Sequence, residues 1–265
     1  MLAGEYQTWM KLGFKSVESL LAGQILRPNP YISEERVRSA LVDGLEHSMP
    51  AQAHRVRVEA NVGWNGSPCW HTPAHGGPGQ GRIIQHDVQI LPDNDSGLVC
   101  EVKWLKQQKA AEIARDIWKL ALSRSTVNET AAVRTFLLVG GEKGSHDRFR
   151  QTINNLDNHG LTLRYSPQGR HSGRLPPARA IQLQDLASTQ WGRNQLRTLL
   201  AWGSPSHVRT PPPCRKTLRV ATRAYWIARA HGRTWRLVLW ELDSLGYQGA
   251  PIDWNTIRSN LTFSC

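Results

Sequence analysis

The chain has 265 residues, and its 33 Lys and Arg residues exceed its 21 Asp and Glu residues, giving a net charge of +12. This length allows one large domain or one ordinary domain with an appendage, and 40% apolar residues exclude a wholly disordered chain. No segment approaches the roughly 18–20 apolar residues that span a bilayer, and the N-terminus has no secretory signal, so we expect no membrane partner. The four cysteines are far apart and form no CxxC pair, which predicts a reduced, cytoplasmic protein.

The excess of positive charge is the first indication of function. A net charge this far from zero concerns partners rather than fold, and nucleic acid is the commonest polyanion in the cytoplasm. The same excess also fits a protein that is kept soluble by its charge. It fits equally a subunit whose protein partner is acidic.

The first third of the chain predicts helices followed by a strand. Residues 14–26 are weakly amphipathic, and the Pro-rich residues 27–30 end this segment, so residues 1–30 are predicted as a helical extension. Ser33 is suited to cap a helix that runs to about Met49. Residues 54–62 alternate between apolar and polar positions, which is typical of a strand.

The middle of the chain predicts a hairpin that leads into further helices and strands. Two strand-like runs, 82–91 and 98–104, are joined by residues 92–97, which are all of turn-forming types. A helix over 106–124, a buried strand over 133–139, a helix over 145–159 and short strands at 161–165 and 178–183 follow. This order predicts an α/β fold, with a mixed sheet flanked by helices.

The last third of the chain is strongly basic. Residues 187–265 contain eleven Lys and Arg residues against three Asp and Glu residues. Helices are predicted over 217–230 and 234–245, and a glycine turn at 246–249 before a third helix resembles a helix-turn-helix unit. We therefore divide the chain at residues 30 and 185 and predict that the basic helical region, 186–265, binds nucleic acid through Arg215, Lys216, Arg219, Arg223, Arg229, Arg233 and Arg236.

Two carboxylates and a lysine are predicted to meet on the hairpin. Asp87 lies in its first strand, while Glu101 and Lys103 share one face of the second strand because side chains alternate with a period of two. Carboxylates with water suit Mg²⁺, or Mn²⁺, and a lysine can orient the attacking water or stabilise the charge on a phosphate. The alternative is an ion pair on a solvated sheet face.

These residues, with Glu34 on the preceding helix, resemble the PD-(D/E)xK nuclease superfamily over roughly residues 31–160. The resemblance implies a restriction-endonuclease-like αβββαβ core and a Mg²⁺-dependent nuclease that hydrolyses phosphodiester bonds, with double-stranded DNA as the expected substrate. It implies that Asp87 and Glu101 bind the metal, that Lys103 serves the attacking water and that Glu34 completes the site. Restriction, phage defence, repair and transposon end processing are all compatible settings.

The sequence departs from the superfamily pattern at one position. The Pro-Asp signature is not at Asp87, which follows His86; a literal Pro-Asp occurs at 92–93, inside the turn. We favour Asp87 because a strand holds a metal ligand more firmly than a turn does. Glu35 and Glu46 compete with Glu34 for the helical position.

Two further alternatives concern another metal and another function. Cys69, His71 and His75 offer zinc ligands in a loop, although a fourth ligand is missing. The chain is alternatively a non-catalytic nucleic-acid-binding or assembly subunit that retains the nuclease fold, with a homodimer or another protein as its partner.

Overall fold

The computed structural model describes residues 3–49, 54–61, 85–92, 97–106, 110–125, 133–145, 179–182 and 217–243. These residues form an α/β fold in which helices flank a mixed sheet, as predicted. The helices are α1 (Ala3–Ile25), α2 (Glu34–Ser48) and α3 (Ala110–Ser125). The strands are β1 (His54–Asn61), β2 (Gln85–Pro92), β3 (Gly97–Leu105), β4 (Val133–Glu142), β5 (Arg179–Gln182), β6 (Thr217–Ala230) and β7 (Arg233–Asp243).

The seven strands form one sheet in the order β1-β2-β3-β4-β7-β6-β5. Only β3 and β4 pair in parallel, with α3 in the connection between them, and the other neighbours are antiparallel. From α2 to β4 the element order is one helix, three strands, one helix and one strand, as the periodicity predicts. The strands β6 and β7, which follow the predicted boundary at residue 185, belong to this same sheet.

The two N-terminal helices pack together on one face of the sheet. The Ser33 side chain accepts a hydrogen bond from the Arg36 backbone N–H, which confirms the predicted N-cap of α2. The residues that α1 contributes to the core include Met10, Phe14, Val17 and Leu21, and those of α2 include Val37, Leu41 and Leu45. The first helix therefore shares one core with α2 and the sheet, and is longer than the segment 14–26.

The opposite face of the sheet carries α3. In β3 the residues Leu98, Cys100, Val102 and Trp104 belong to the core formed with α1 and α2. The alternate position Glu101 bonds to Lys119 of α3 instead. Side chains in a strand alternate between faces, so α3 covers the face that Glu101 occupies. Residues 117, 118, 120 and 121 of α3 are all buried.

The predicted helices over 217–230 and 234–245 are wrong, because this segment is the β6–β7 hairpin. The hairpin turns through His231 and Gly232, whose φ angles are 49° and 72°, and two positive φ angles suit the type I′ turn of a two-residue hairpin loop. In β7 every residue from Trp235 to Leu242 is buried. A strand buried on both faces has no apolar alternation, so a helical stripe can be read into it by mistake.

The side chain of Trp104 contacts both the hairpin and the neighbouring strand β4. Its ring stacks on Trp235 with centroids 6.0 Å apart and an interplanar angle of 18°. On the neighbouring strand, a Cβ atom added to Gly140 would lie less than 3.0 Å from the Trp104 ring. A Cβ atom and a ring carbon do not approach each other this closely in proteins, so the position of the indole requires a glycine at residue 140.

Some of the predicted elements lie outside the described residues. They are most of the helix at 145–159, the strand at 161–165, the predicted boundary at residue 185, the glycine turn at 246–249 and the third helix after that turn. The strand predicted at 178–183 is confirmed as β5. Among the described helices, none is both long enough and apolar enough to cross a membrane.

A buried carboxylate joins α1 to the strands β4 and β6. Glu241 of β7 is 3% exposed. Its carboxylate bonds to the guanidinium groups of Arg134 and Arg223 and accepts a hydrogen bond of 3.0 Å from Gln7 Nε2. Burial of a carboxylate is tolerated when charged donors compensate its lost hydration. Glu241 therefore fixes the hairpin to the first helix and the central sheet.

We predict that Glu241→Ala lowers the free energy of unfolding by about 2–3 kcal/mol, because two arginines lose their buried partner. The control is Glu142→Ala, whose ion pair with Arg233 is exposed on both sides (42% and 56%). An exposed pair contributes only about 0–1 kcal/mol. Urea denaturation of both variants measures the difference, and equal losses would contradict a bracing role for Glu241.

Candidate active site

The candidate site lies where β2 separates from β3. The two strands pair only from Val88 to Ile90 against Leu98 to Cys100, while β3 continues to Leu105. Beyond Cys100, two backbone N–H groups of β3 bond to side chains. Val102 N donates to Asp87 Oδ2 at 2.7 Å, and Trp104 N donates to Glu34 Oε2 at 3.2 Å. Two carboxylates thus take the place of a neighbouring strand.

Lys103, the residue between those two N–H groups, joins three of the elements. Its Nζ atom lies 3.3 Å from Glu34 Oε1 on α2 and 3.4 Å from Asp116 Oδ2 on α3. Burial lowers the pKa of Lys103, but the surrounding carboxylates outweigh this effect and raise it above its ordinary value. The ammonium group therefore stays charged beside the cluster.

Glu101 is fully buried and both of its oxygens have partners. Oε1 shares a hydrogen bond of 2.7 Å with His86 Nδ1, and Oε2 accepts one of 2.6 Å from Lys119 Nζ. Burial raises the pKa of Glu101 to about 8, with Asp87 adding to the effect and Lys119 opposing it. Burial, followed by Lys119, lowers the pKa of His86 to about 3, so its imidazole is neutral at physiological pH.

Asp116 is the fourth carboxylate of the cluster. It is 4% exposed, and burial raises its pKa to about 6 while Lys103 and Lys119 oppose this shift. Its Oδ1 atom lies 3.7 Å from Lys119 Nζ. Its Oδ2 atom is within ion-pair distance of Lys103 but accepts no hydrogen bond from the described residues. A buried acceptor without a hydrogen bond is unusual and marks a place where a further donor or cation fits.

We call Glu34, Arg38, His86, Asp87, Glu101, Lys103, Asp116 and Lys119 the carboxylate cluster. Arg38 completes it, since its Nη1 atom lies 3.7 Å from Asp87 Oδ1. Four elements, α2, β2, β3 and α3, supply its side chains. Three cations, Arg38, Lys103 and Lys119, therefore lie among the four carboxyl groups.

The structure brings Glu34, Asp87, Glu101 and Lys103 into this one cluster. Glu34 bonds to Lys103 and to Trp104 N, whereas Glu35 and Glu46 are exposed on α2. Burial raises the pKa of Glu34, and Lys103 opposes this effect. The turn with the literal Pro-Asp pair continues past Pro92 outside the described residues, as does the Cys69, His71 and His75 loop.

Sequence reasoning missed Arg38, His86, Asp116 and Lys119. The signal for the last two was present, because Asp116 and Lys119 lie three residues apart within the buried stretch 116–121 of α3. A charged pair that interrupts an apolar face is unusual in a helix that packs on a sheet. His86 carried no such signal, since strict alternation assigns it to the face opposite Asp87.

The donor set fits a hard divalent cation by its chemistry. Mg²⁺ takes oxygen ligands and usually one or two carboxylates completed by water. Asp116 Oδ2 accepts no hydrogen bond from the described residues, and Asp87 Oδ1 is 3.7 Å from Arg38 Nη1, whereas both oxygens of Glu101 are engaged. The described side chains nevertheless include no group of three or more His, Cys, Asp or Glu arranged as a metal cage.

Five of the seven basic residues predicted to bind nucleic acid lie on the β6–β7 hairpin, in different surroundings. Arg229 and Arg233 are exposed, and Arg233 pairs with Glu142. Arg223 is held by Glu241, and Arg236 is 4% exposed within the sheet. Arg219 lies in β6, where its side chain is not described, and Arg215 and Lys216 precede the described segment. Nucleic-acid binding by these residues stays a prediction. The described members of the set lie on a β-hairpin and not on the predicted helices.

Comparison of the chain with protein-family models, with curated proteins and with solved structures finds no match.

The buried Glu101 predicts a pH dependence of stability. Folded Glu101 keeps its proton up to a pKa of about 8, whereas the unfolded residue releases it near its ordinary value of 4.5. The folded state then binds more protons, so the free energy of unfolding falls as the pH rises. Between pH 6.5 and 8, where His86 and Asp116 have already lost their protons, wild type in EDTA should lose about 1–2 kcal/mol relative to Glu101→Gln.

Urea denaturation at both pH values measures this difference. Glu46→Gln is the control, because that side chain is exposed on α2. A difference between wild type and Glu101→Gln that stays constant with pH would show that Glu101 is ionised throughout this range.

Proposed function

We propose that the protein is a Mg²⁺-dependent nuclease with a core similar to that of the PD-(D/E)xK superfamily. The observation that supports this function is the position of Asp87 and Glu34. Both carboxylates bond to the β3 backbone on either side of Lys103, at the point where β2 separates from β3. Hydrogen bonds from backbone N–H groups fix the positions of these carboxylates. Phosphodiester hydrolysis depends on a pre-organised site of this kind.

Asp87 and Glu101 are the residues that would hold the metal, with Asp116 as a further carboxylate beside them. Bound there, Mg²⁺ would polarise a phosphoryl oxygen and lower the pKa of a coordinated water. Glu101 is engaged by Lys119 and His86, so these two residues fix the position of its carboxylate. Burial keeps that carboxylate in a low-dielectric setting, where its interaction with a cation is strong.

Lys103 supplies the positive charge next to the reacting phosphate. Its ammonium group is held between Glu34 and Asp116, and its raised pKa keeps the proton in place. A fixed cation stabilises the negative charge that develops on the phosphate, or orients the attacking water, without being reorganised during the reaction. Glu34 and Asp116 are then positioning residues for this lysine.

The net charge of +12 agrees with a nucleic-acid substrate, and we take double-stranded DNA as that substrate. A non-catalytic nucleic-acid-binding subunit is the second candidate. It is favoured by one observation, since both oxygens of Glu101 already have protein partners. The two candidates differ in whether the purified protein cuts nucleic acid.

We predict that Asp87→Asn, Glu101→Gln and Lys103→Ala each lower the rate of DNA cleavage by about 10²-fold or more, because Asp87 and Glu101 are the proposed metal ligands and Lys103 is the cation beside the phosphate. Binding to DNA should persist, since neither carboxylate variant adds negative charge. Cleavage of plasmid and of labelled oligonucleotides in Mg²⁺, with binding measured in EDTA, provides both readouts.

Matched controls exist on α2 and α1. Asp43→Asn and Lys11→Ala change exposed side chains of the same types outside the cluster, and both should cut at the wild-type rate. Cleavage by Glu101→Gln at the wild-type rate would refute the nuclease. Binding without cleavage by wild type in every divalent metal would favour the non-catalytic subunit.

Metal dependence gives a separate prediction. Activity should require Mg²⁺ or Mn²⁺ and disappear in EDTA, because oxygen ligands favour hard cations over Zn²⁺. The double variant Cys69→Ser/His71→Ala should cut as wild type does, since the soft ligands lie in a different segment from the carboxylates. Activity that survives EDTA, or that returns only with Zn²⁺, would contradict this assignment.

A further inference from the structure

An exposed aromatic ring with two cations lies beside the carboxylate cluster. Tyr31 is 67% exposed and precedes Glu34 by three residues. Arg36 is exposed two residues after Glu34, and Lys106 is exposed three residues after Lys103. We call Tyr31, Arg36 and Lys106 the tyrosine clamp.

Both cations of the clamp lie against the same ring. The guanidinium carbon of Arg36 and the ammonium nitrogen of Lys106 are each 5.9 Å from the centroid of the Tyr31 ring. Cations are attracted to an aromatic ring by its quadrupole, which offsets the repulsion between the two like charges. Two long cationic side chains thereby contact one exposed ring.

The backbone on both sides of the clamp is tied in place. Arg36 Nη1 donates a hydrogen bond of 2.8 Å to the Tyr31 carbonyl oxygen, and the Lys106 carbonyl oxygen accepts one of 2.9 Å from Ser145 Oγ. The two chain segments meet at the cluster, where Lys103 Nζ lies 3.3 Å from Glu34 Oε1. The clamp therefore lies on the same two chain segments that bring Glu34 and Lys103 together.

We propose that the tyrosine clamp binds a backbone phosphate of the DNA that passes the carboxylate cluster. This inference rests on the proposed function and names the contact that sets the position of the scissile bond. Phosphate contacts supply affinity and register to a nucleic-acid enzyme, while its catalytic groups act on one bond. Two cations around one ring offer a phosphate two charged donors, and charge-assisted hydrogen bonds are the strong ones.

The test measures binding and not cleavage. Fluorescence anisotropy of a labelled DNA duplex with the full-length protein in EDTA, at several salt concentrations, gives the Kd and its salt dependence. Each cation that contacts a phosphate contributes about 0.9 to the slope of log K against log salt. Arg36→Ala/Lys106→Ala should therefore flatten the slope by about 1–2 and raise Kd about tenfold or more at roughly 0.1 M salt.

A variant that changes no charge tests whether the ring of the clamp contributes to binding beyond the net positive charge of the protein. Tyr31→Leu removes the ring that gathers the two cations and should also raise Kd, whereas Tyr31→Phe keeps the ring and should bind as wild type does. Lys11→Ala/Lys15→Ala removes two exposed lysines of α1 and is the matched control for lost charge. Lys106→Ala alone leaves the hydrogen bond from the Arg36 side chain to the Tyr31 carbonyl oxygen intact, so it remains informative if changes at Arg36 disturb folding.

The outcomes separate this inference from the proposed function. If wild type binds DNA while the clamp variants bind with the Kd and slope of the Lys11/Lys15 control, the clamp is refuted and the nuclease is untouched. If the clamp variants lose affinity but wild type cuts nothing in Mg²⁺ or Mn²⁺, the phosphate contact stands and the nuclease is refuted. Wild type that does not bind DNA overturns both.

Discussion

The arrangement of the site depends on the separation of β2 from β3. A strand that loses its neighbour leaves backbone N–H groups without acceptors, and each such buried group costs about 1–3 kcal/mol. Asp87 and Glu34 accept from the N–H groups of Val102 and Trp104, so the fold needs these carboxylates before any reaction is considered. The same bonds hold two carboxylates on either side of Lys103. The same carboxylate groups therefore satisfy the backbone N–H groups of β3 and place negative charge beside Lys103.

The charge balance of the cluster accounts for the position of α3 on the sheet. A carboxylate as buried as Glu101 is tolerated only with strong donors, and α3 supplies Lys119 as one of them. Asp116 on the same helix pairs with Lys103 of the strand. Two reciprocal ion pairs thus cross the interface. The helix supplies the cation of one pair and the carboxylate of the other, and β3 supplies their partners. These pairs fix the helix on the sheet more specifically than apolar packing alone.

The elements that the sequence predicted well are those whose pattern is local. The cap at Ser33, the alternation in β1 and the antiparallel pairing of β2 with β3 are each predicted from about ten to twenty residues, and spacing in β3 was enough to select Glu101 and Lys103. The β6–β7 hairpin was missed because the partner of β7 is β4, about a hundred residues earlier. Burial by such a distant strand removes the alternation that would identify a strand. His86 was missed because alternation along β2 assigns it to the face opposite Asp87, whereas in the structure it bonds to Glu101 beyond the point where β2 stops pairing with β3.

The contact between Gly140 and the indole of Trp104 has an evolutionary consequence. A side chain at residue 140 would collide with the ring, and the ring in turn stacks on Trp235 of the hairpin. A larger residue at 140 therefore requires the indole to move or to be replaced, and either change alters its stacking on Trp235. Positions 104, 140 and 235 should then covary as a set among descendants of this sequence. The pace of change at the hairpin is in this way coupled to the strand that carries Glu101 and Lys103.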